Sequence, residues 1–123
     1  MKRPLVFVLL ALASRGLLPA ASPSAEDLAF FERNVRPVLV ARCVECHGEK
    51  KQKGKLRLDT LANALKASEG GKSIVPGKSA DSALVKAIAR VVEDDAMPPE
   101  GKGKPLTAEQ VGLIRAWIDQ GAK

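Results

Sequence analysis

The sequence contains few of the residues from which most metal sites and nucleic-acid surfaces are built. Its 123 residues include no tyrosine, one tryptophan, one histidine and two cysteines, and aromatic residues make up 3%. So few aromatic rings exclude a surface on which nucleic-acid bases stack. Two cysteines and one histidine also fall short of the about four ligands that a structural zinc site uses. Any site chemistry must therefore depend on very few side chains.

Long hydrophobic runs are also lacking, since a helix that spans a bilayer needs about 20 apolar residues. The longest run has nine, LVFVLLALA, and it follows two basic residues and precedes a stretch of small ones. This order is typical of an export signal, and we assign residues 1–25 to it, with cleavage near the end of that range. The domain over residues 26–123 is then expected in the periplasm or another extracytoplasmic compartment, soluble after cleavage. An uncleaved N-terminal anchor is the alternative.

The basic excess is small once the predicted signal is set aside. The formal net charge is +6, and removing the signal's three basic residues leaves 17 Lys and Arg against 14 Asp and Glu. A balance this close to neutrality lacks the electrostatic footprint of a nucleic-acid-binding domain. We therefore expect no nucleic-acid partner.

Apolar residues recur at helical spacing directly after the signal. Ser24 with Asp27 predicts a capped helix start, and the helical spacing continues to Cys43. Pro37 interrupts this run, which predicts a kink or a new helix near it. Thr107 is expected to open the last helix through a capping box.

The middle of the chain has the pattern of short helices between long loops. Thr60 or the aspartate before it is expected to cap one helix. Ser79 or Asp81 is expected to cap the next, whose inner face would extend to Val91 or Val92. Glycines and prolines fill the connecting segments. The fold class that follows is all-α, with the helices at the two ends of the domain packed on each other.

One short motif carries most of the chemical information, namely Cys43-Val44-Glu45-Cys46-His47. Two thiols at this spacing can bond the two vinyl groups of one porphyrin while the next imidazole faces the iron, so C-x-x-C-H is typical of covalent c-type haem attachment. Three alternatives remain. A redox-active C-x-x-C expects a βαβ context, a zinc ion would need acidic ligands as well, and a disulfide across so short a loop stabilises little.

Met97 is the candidate for the sixth ligand of the iron. His47 is the only histidine, so a second imidazole is excluded, and Met97 is the only methionine besides Met1. Two prolines follow it and restrict the loop that presents its sulfur. A methionine can instead fill a gap in a core. Without Met97 the sixth position would hold water, a lysine or nothing, which would favour gas binding or peroxide reduction.

These residues lie within a series of motifs that resembles the planctomycete-type cytochrome c domain. The series runs through Phe31-x-x-x-Val35-Arg36-Pro37-Val38-Leu39, the C-x-x-C-H motif with Gly48, Gln52-Lys53-Gly54-x-Leu56-Arg57-Leu58-Asp59, Ile74-Val75-Pro76-Gly77-Lys78 with Ser82-x-Leu84, Met97-Pro98-Pro99, Leu106-Thr107, and Trp117-Ile118-x-x-Gly121-Ala122. It covers about residues 30–122. The resemblance implies a small class I cytochrome c-like fold of short helices and long loops around one covalent haem c per chain. In that family the haem domain often belongs to a much larger exported protein, which implies a larger exported protein or a membrane complex as a further partner.

The predicted function is one-electron transfer between redox protein partners by an exported mono-haem cytochrome. It is not an enzymatic function, and no small-molecule substrate is expected. A five-coordinate haem with peroxidase-type activity and an interaction module with a structural haem are the alternatives.

Two further sets of side chains have two interpretations each. Arg57 would pair with a haem propionate or lie on the surface. The lysines after the motif would dock an acidic partner or form a solvated loop, and they are Lys50, Lys51, Lys53 and Lys55. A haem-binding histidine also needs an acceptor for its second ring nitrogen, and the sequence does not identify one.

Overall fold

The computed structural model describes residues 22–123, so all but the last four residues of the predicted export signal lie outside it. The helices in this range are α1 (Ala25–Phe30), α2 (Arg36–Arg42), α3 (Leu61–Ala64), α4 (Ala83–Ile88) and α5 (Ala108–Asp119). The strands are β1 (Ala67–Ser68) and β2 (Gly71–Lys72). Single helical turns join them at Phe31–Val35, Lys53–Lys55, Ser79–Asp81 and Glu93–Asp95. None of the described helices is both long enough and apolar enough to cross a membrane.

The N-terminal helices follow the sequence-based prediction closely. The Ser24 hydroxyl accepts from the Asp27 amide at 3.1 Å, and the Asp27 carboxylate accepts from the Ser24 amide at 2.9 Å. This reciprocal pair satisfies two donors that a helix start leaves free. Pro37 lies in the first turn of α2, directly after a wide π-helical turn, because proline has no N–H to continue the α-helical ladder. The predicted break near Pro37 is therefore confirmed.

Helix α5 packs across this N-terminal region. It begins at Thr107 with the predicted capping box. It ends at Asp119, and Gly121, two residues later, has a φ of +107°, in the left-handed region typical of a helix stop. The buried Trp117 packs on Phe31 with ring centroids 5.4 Å apart, and its indole N–H donates to the Lys123 carbonyl at 3.0 Å. The predicted packing between the terminal helices is confirmed.

Helix α4 begins and ends at other residues than the sequence predicts. Its N-cap is Ser82, because the Ser79 amide and hydroxyl both donate to the Asp119 carboxylate instead, each at 2.9 Å. It ends before Arg90, whose φ is +59°, so the chain turns away and leaves the two valines that follow 68% and 50% exposed. The prediction that Val91 or Val92 extends the buried face is wrong.

The connection into α4 contains a tight turn at Pro76 and Gly77. The Lys78 amide donates to the Val75 carbonyl at 2.9 Å, with Pro76 and Gly77 between them. Proline presets the first central position of a type II turn, and the second requires a positive φ, which is +80° at Gly77. The Gly77 amide also donates to the carbonyl of Ile118 in α5 at 2.7 Å.

A small sheet corrects the predicted all-α class. Strands β1 and β2 form an antiparallel hairpin in which Ala67 faces Lys72 and Ser68 faces Gly71. Strands of two residues are too short to produce an alternating pattern, which explains why the sequence did not reveal them. Helices and helical turns make up about 48% of the structure, so the predicted fold class holds in part. Thr60, one of the two predicted caps, accepts from Asn63 and starts α3.

The hydrophobic core draws on every α-helix except α1. Its large side chains that are at most 2% exposed are Val35, Ile74, Val85, Ile114, Trp117 and Ile118. Phe30 and Phe31 pack against this cluster from the N-terminal side. The core therefore holds α2, α4 and α5 together, and the loops between them enclose the site described next.

Candidate functional site

The C-x-x-C-H motif forms one compact turn at the end of α2. The Cys43 amide still donates to Leu39, at 2.9 Å, so the first cysteine continues the helical ladder. The Cys46 and His47 amides then both donate to the Cys43 carbonyl, at 3.3 and 3.0 Å. This turn places both thiols and the imidazole on the wall of a single cavity.

Gly48 closes that turn for a steric reason. It is buried, and a Cβ at this position would overlap the backbone carbonyl oxygen of Val44 and lie 3.0 Å from the Val44 side chain. Backbone atoms cannot move aside as the end of a flexible side chain can. Glycine at this position thus permits the close approach between the end of the motif and its middle.

The acceptor for the second ring nitrogen of His47 is a backbone carbonyl. The chain folds back after Gly48, so that His47 pairs with Gln52 in an antiparallel bridge and the Lys53 amide donates to Cys46 at 3.1 Å. This return brings the Lys53 carbonyl to 3.0 Å from His47 Nδ1. Nδ1–H as donor fixes the tautomer and leaves Nε2 as the nitrogen that can bind a metal.

The cavity beside the motif has a volume of about 540 Å³, within the range of roughly 300–1,000 Å³ typical of ligand pockets. Met97 lines it together with Cys43, Cys46 and His47. Much of the remaining wall is aliphatic and is formed by Leu56, Leu58, Leu84, Ala87, Ile88 and Val92. The cavity thus combines a large apolar space with two thiols, one imidazole and one thioether.

One hydrogen bond from the Met97 amide and one to the residue after it hold the Met97 segment in place. Its amide donates to the Ala87 carbonyl at 3.0 Å. The guanidinium of Arg90 donates to the Pro98 carbonyl at 2.9 Å, directly after the cis Met97–Pro98 peptide bond. The half-buried Met97 side chain packs against the core. The loop that carries the sulfur therefore has a defined position relative to α4.

The two cysteines are available for bonds to a ligand, because neither forms a disulfide. Burial raises the pKa of the Cys43 thiol to about 11, the nearby charge of Arg42 opposing this only in part. The side chain at neutral pH is thus an uncharged thiol, suited to an apolar cavity. No three His, Cys, Asp or Glu residues within residues 22–123 lie close enough together to hold a metal ion.

Arg57 lies outside the set of residues that line the cavity. Its guanidinium makes two hydrogen bonds to the Asp59 carboxylate, at 3.0 and 2.5 Å. These bonds hold the pKa of Asp59 below its ordinary value. The pairing of Arg57 with a haem propionate stays a prediction.

The donors at the cavity fit a covalently bound haem. Both thiols are free, the imidazole is oriented by its second nitrogen, and a thioether lines the same apolar space. The sequence predicted these four side chains as the haem-binding set, and the structure places them on one cavity. The sequence did not reveal the Lys53 carbonyl or most of the aliphatic wall, since a backbone acceptor leaves no residue-specific signal.

Residues 43–101 match the family model described as planctomycete cytochrome C. This segment is thus similar to the planctomycete cytochrome c domain, and the resemblance that the sequence motifs indicated is confirmed over it. The match begins at the first cysteine and extends past Met97, so it includes every candidate ligand. No curated protein and no solved structure matched the chain. The domain indicates a haem-binding electron carrier rather than an enzyme.

Proposed function

We propose that this chain is an exported mono-haem c-type cytochrome that passes single electrons between redox proteins. Cys43 and Cys46 bond the haem, and His47 and Met97 ligate its iron. The observation that carries the proposal is that these four side chains line one cavity, although Met97 is 50 residues from His47 in sequence.

The covalent bonds follow from the two free thiols. Each S–H would add across one vinyl group, forming a C–S bond while the hydrogen goes to the other vinyl carbon, so the addition needs no oxidant. The sequence has only these two cysteines and one C-x-x-C-H motif, which supports one haem per chain. The haem, once bound, supplies an iron that cycles between its ferrous and ferric states.

The protein's part in electron transfer is to hold the two ligands and to set the reduction potential. The Lys53 carbonyl accepts the Nδ1 proton of His47, which orients the ring and leaves Nε2 to bind iron. A thioether such as Met97 is a soft ligand that favours ferrous iron and raises the potential. The aliphatic side chains give the cavity an apolar surface against which the faces of a porphyrin can pack.

The test is the absorption spectrum of the full chain, co-expressed with c-type maturation enzymes. We expect a pyridine haemochrome typical of two thioether bonds, a haem-to-protein ratio of one and the weak near-red band of Met bound to ferric iron. The absence of covalent haem would overturn the proposal.

Substitution of Met97 separates ligation from packing. Met97→Leu keeps most of the side-chain volume but removes the sulfur, so it controls for the cavity that Met97→Ala creates. Both variants should lose the near-red band and lower the potential. If Met97→Leu retains the parent spectrum and potential, Met97 only fills space, and a five-coordinate haem with ligand-binding or peroxidase-type chemistry becomes the better explanation.

Export is the second part of the proposal and rests on the charged, apolar and small-residue order of residues 1–25. Cell fractionation and the intact mass of the holoprotein test it. We expect periplasmic protein that lacks roughly the first 25 residues. Full-length mass in the membrane fraction would support the uncleaved anchor, and cytoplasmic protein would contradict export.

Redox partners are expected to carry an acidic docking surface. The four lysines Lys50, Lys51, Lys53 and Lys55 are exposed in the loop that also provides the His47 acceptor, and none forms an ion pair with another described residue. Oxidation by ferricyanide should therefore slow with rising salt, whereas oxidation by a cationic cobalt complex should not.

Replacing these lysines by glutamine should remove the salt dependence. The matched control replaces four lysines elsewhere, Lys66, Lys72, Lys78 and Lys123. Equal effects of the two sets would mean that net charge, rather than this loop, guides the encounter.

A further inference from the structure

Helix α4 ends in a Schellman-type turn at Arg90. The Arg90 amide donates to the Ala87 carbonyl at 3.1 Å, and the Val91 amide donates to the Lys86 carbonyl at 3.1 Å. This pair of bonds places Arg90 just after the helix cap, where such a turn requires a positive φ, here +59°. Glycine is the usual residue at this position, because a Cβ is unfavourable in the left-handed region. An arginine here strains the backbone, which directs attention to what its side chain contributes in return.

The Arg90 side chain contacts the loop that carries Met97. Its Nη1 donates to the Pro98 carbonyl at 2.9 Å. The acidic turn Glu93–Asp95 lies closer to Arg90 in sequence, yet Arg90 forms no ion pair with any of residues 22–123. The guanidinium therefore bonds a main-chain acceptor of the Met97 loop rather than a neighbouring carboxylate.

The end of α4 holds the same loop at a second point. The Ala87 carbonyl that closes the turn at Arg90 also accepts from the Met97 amide at 3.0 Å. Residues at the end of α4 thus bond the loop at the Met97 amide and at the Pro98 carbonyl. Of these two bonds, only the one from Arg90 comes from a side chain, so a substitution can remove it and leave the other in place.

We propose that Arg90 is a positioning residue for the sixth iron ligand, because its guanidinium holds the Pro98 carbonyl and so keeps the Met97 sulfur directed at the iron. This inference rests on the proposed function. Arg90 is exposed and lies outside the set of residues that line the cavity, so it acts through the loop. Water competes for a bond at the surface. Its loss should therefore shift the balance between bound and displaced Met97 by roughly fivefold rather than abolish ligation.

The experiment titrates the full ferric holoprotein with imidazole, which competes with Met97 for the iron, and follows the loss of the near-red band. Arg90→Gly removes the guanidinium and also relieves the left-handed backbone, so the two effects have opposite signs. We expect Arg90→Gly to bind imidazole about fivefold more tightly than the parent. Its free energy of unfolding in urea, measured with imidazole bound in both proteins, should be equal to that of the parent or higher.

The matched control is Arg33→Gln, which removes one positive charge from an exposed position in the N-terminal region. It should bind imidazole as the parent does, and an increase equal to that of Arg90→Gly would overturn the inference, since net charge would then be the cause. An unchanged imidazole affinity in Arg90→Gly would also overturn it. So would a tighter affinity together with a lower free energy of unfolding, because that pattern means a general structural role. If the parent itself lacks the near-red band, Met97 ligation and with it the proposed function fail before Arg90 is tested.

Discussion

Replacing Ser82 by alanine should destabilise the holoprotein by about 2 kcal/mol. Ser82 is 0% exposed, and its hydroxyl accepts from the Val75 amide and donates to the Lys78 carbonyl, both at 2.9 Å. Lys78 keeps a second donor, the Asp81 amide at 3.2 Å, so the main loss falls on Val75. A buried amide left without an acceptor costs about 1–3 kcal/mol. The removed oxygen is small, so little cavity energy is added.

Guanidinium unfolding of the ferric protein, followed by far-ultraviolet circular dichroism, measures the free energy of unfolding. For a domain of roughly 100 residues, a loss of this size lowers the melting temperature by roughly 8–16 °C. Ser68→Ala is the matched control, because its hydroxyl bonds an exposed carbonyl that water can serve. The near-red band should persist in both variants. A loss below about 0.5 kcal/mol, as at an ordinary surface site, would refute the reasoning.

Three further predictions concern single positions. Gly77→Ala should lower the free energy of unfolding by about 1 kcal/mol, because φ is +80° there. Gly112→Ala, in the exposed part of α5, should raise it by up to about 1 kcal/mol. If the two substitutions changed the free energy of unfolding in the same direction, the backbone argument would be contradicted. Gly48→Ala should reduce the yield of covalent haem per chain, since its Cβ has no room beside the turn of the motif, and an unchanged yield in the pyridine assay would refute this. Asp119→Asn should lower stability at neutral pH. Hydrogen bonds from Ser79 lower the pKa of Asp119. The difference in free energy of unfolding between the parent and the variant is therefore complete above the ordinary Asp pKa near 4, shrinks as the pH falls through the lowered pKa, and is absent below it. Chemical unfolding measured against pH tests this.

The parts of the fold that sequence predicted are those set by local chemistry. The caps at Ser24, Thr60 and Thr107 each accept from an amide three residues away. Both partners of each bond lie within one short segment, so the sequence of that segment predicts the cap. Pro37 acts through its missing N–H, which is again local. The four candidate ligands could be proposed from sequence because their chemistry depends on residue type, which the sequence displays directly.

The sequence-based predictions fail where the structure depends on residues far apart in sequence or on backbone atoms. Ser79 does not cap α4, because it hydrogen-bonds Asp119, which is 40 residues away. Helix α4 stops at a left-handed Arg90, a position where glycine would have given the signal. The acceptor for His47 is a main-chain carbonyl, which every residue has. None of these features is marked by a residue type that the sequence displays.

The two sides of the proposed iron site depend on different parts of the fold. Cys43, Cys46 and His47 lie in one turn and are held by hydrogen bonds within it. The backbone of Met97 instead bonds Ala87 in α4, and α4 is held by the core and by the turn whose Ser79 contacts α5. Because local contacts survive when tertiary packing weakens, partial unfolding should release Met97 first. The near-red band should then disappear at lower denaturant than the signal of the His47-ligated haem.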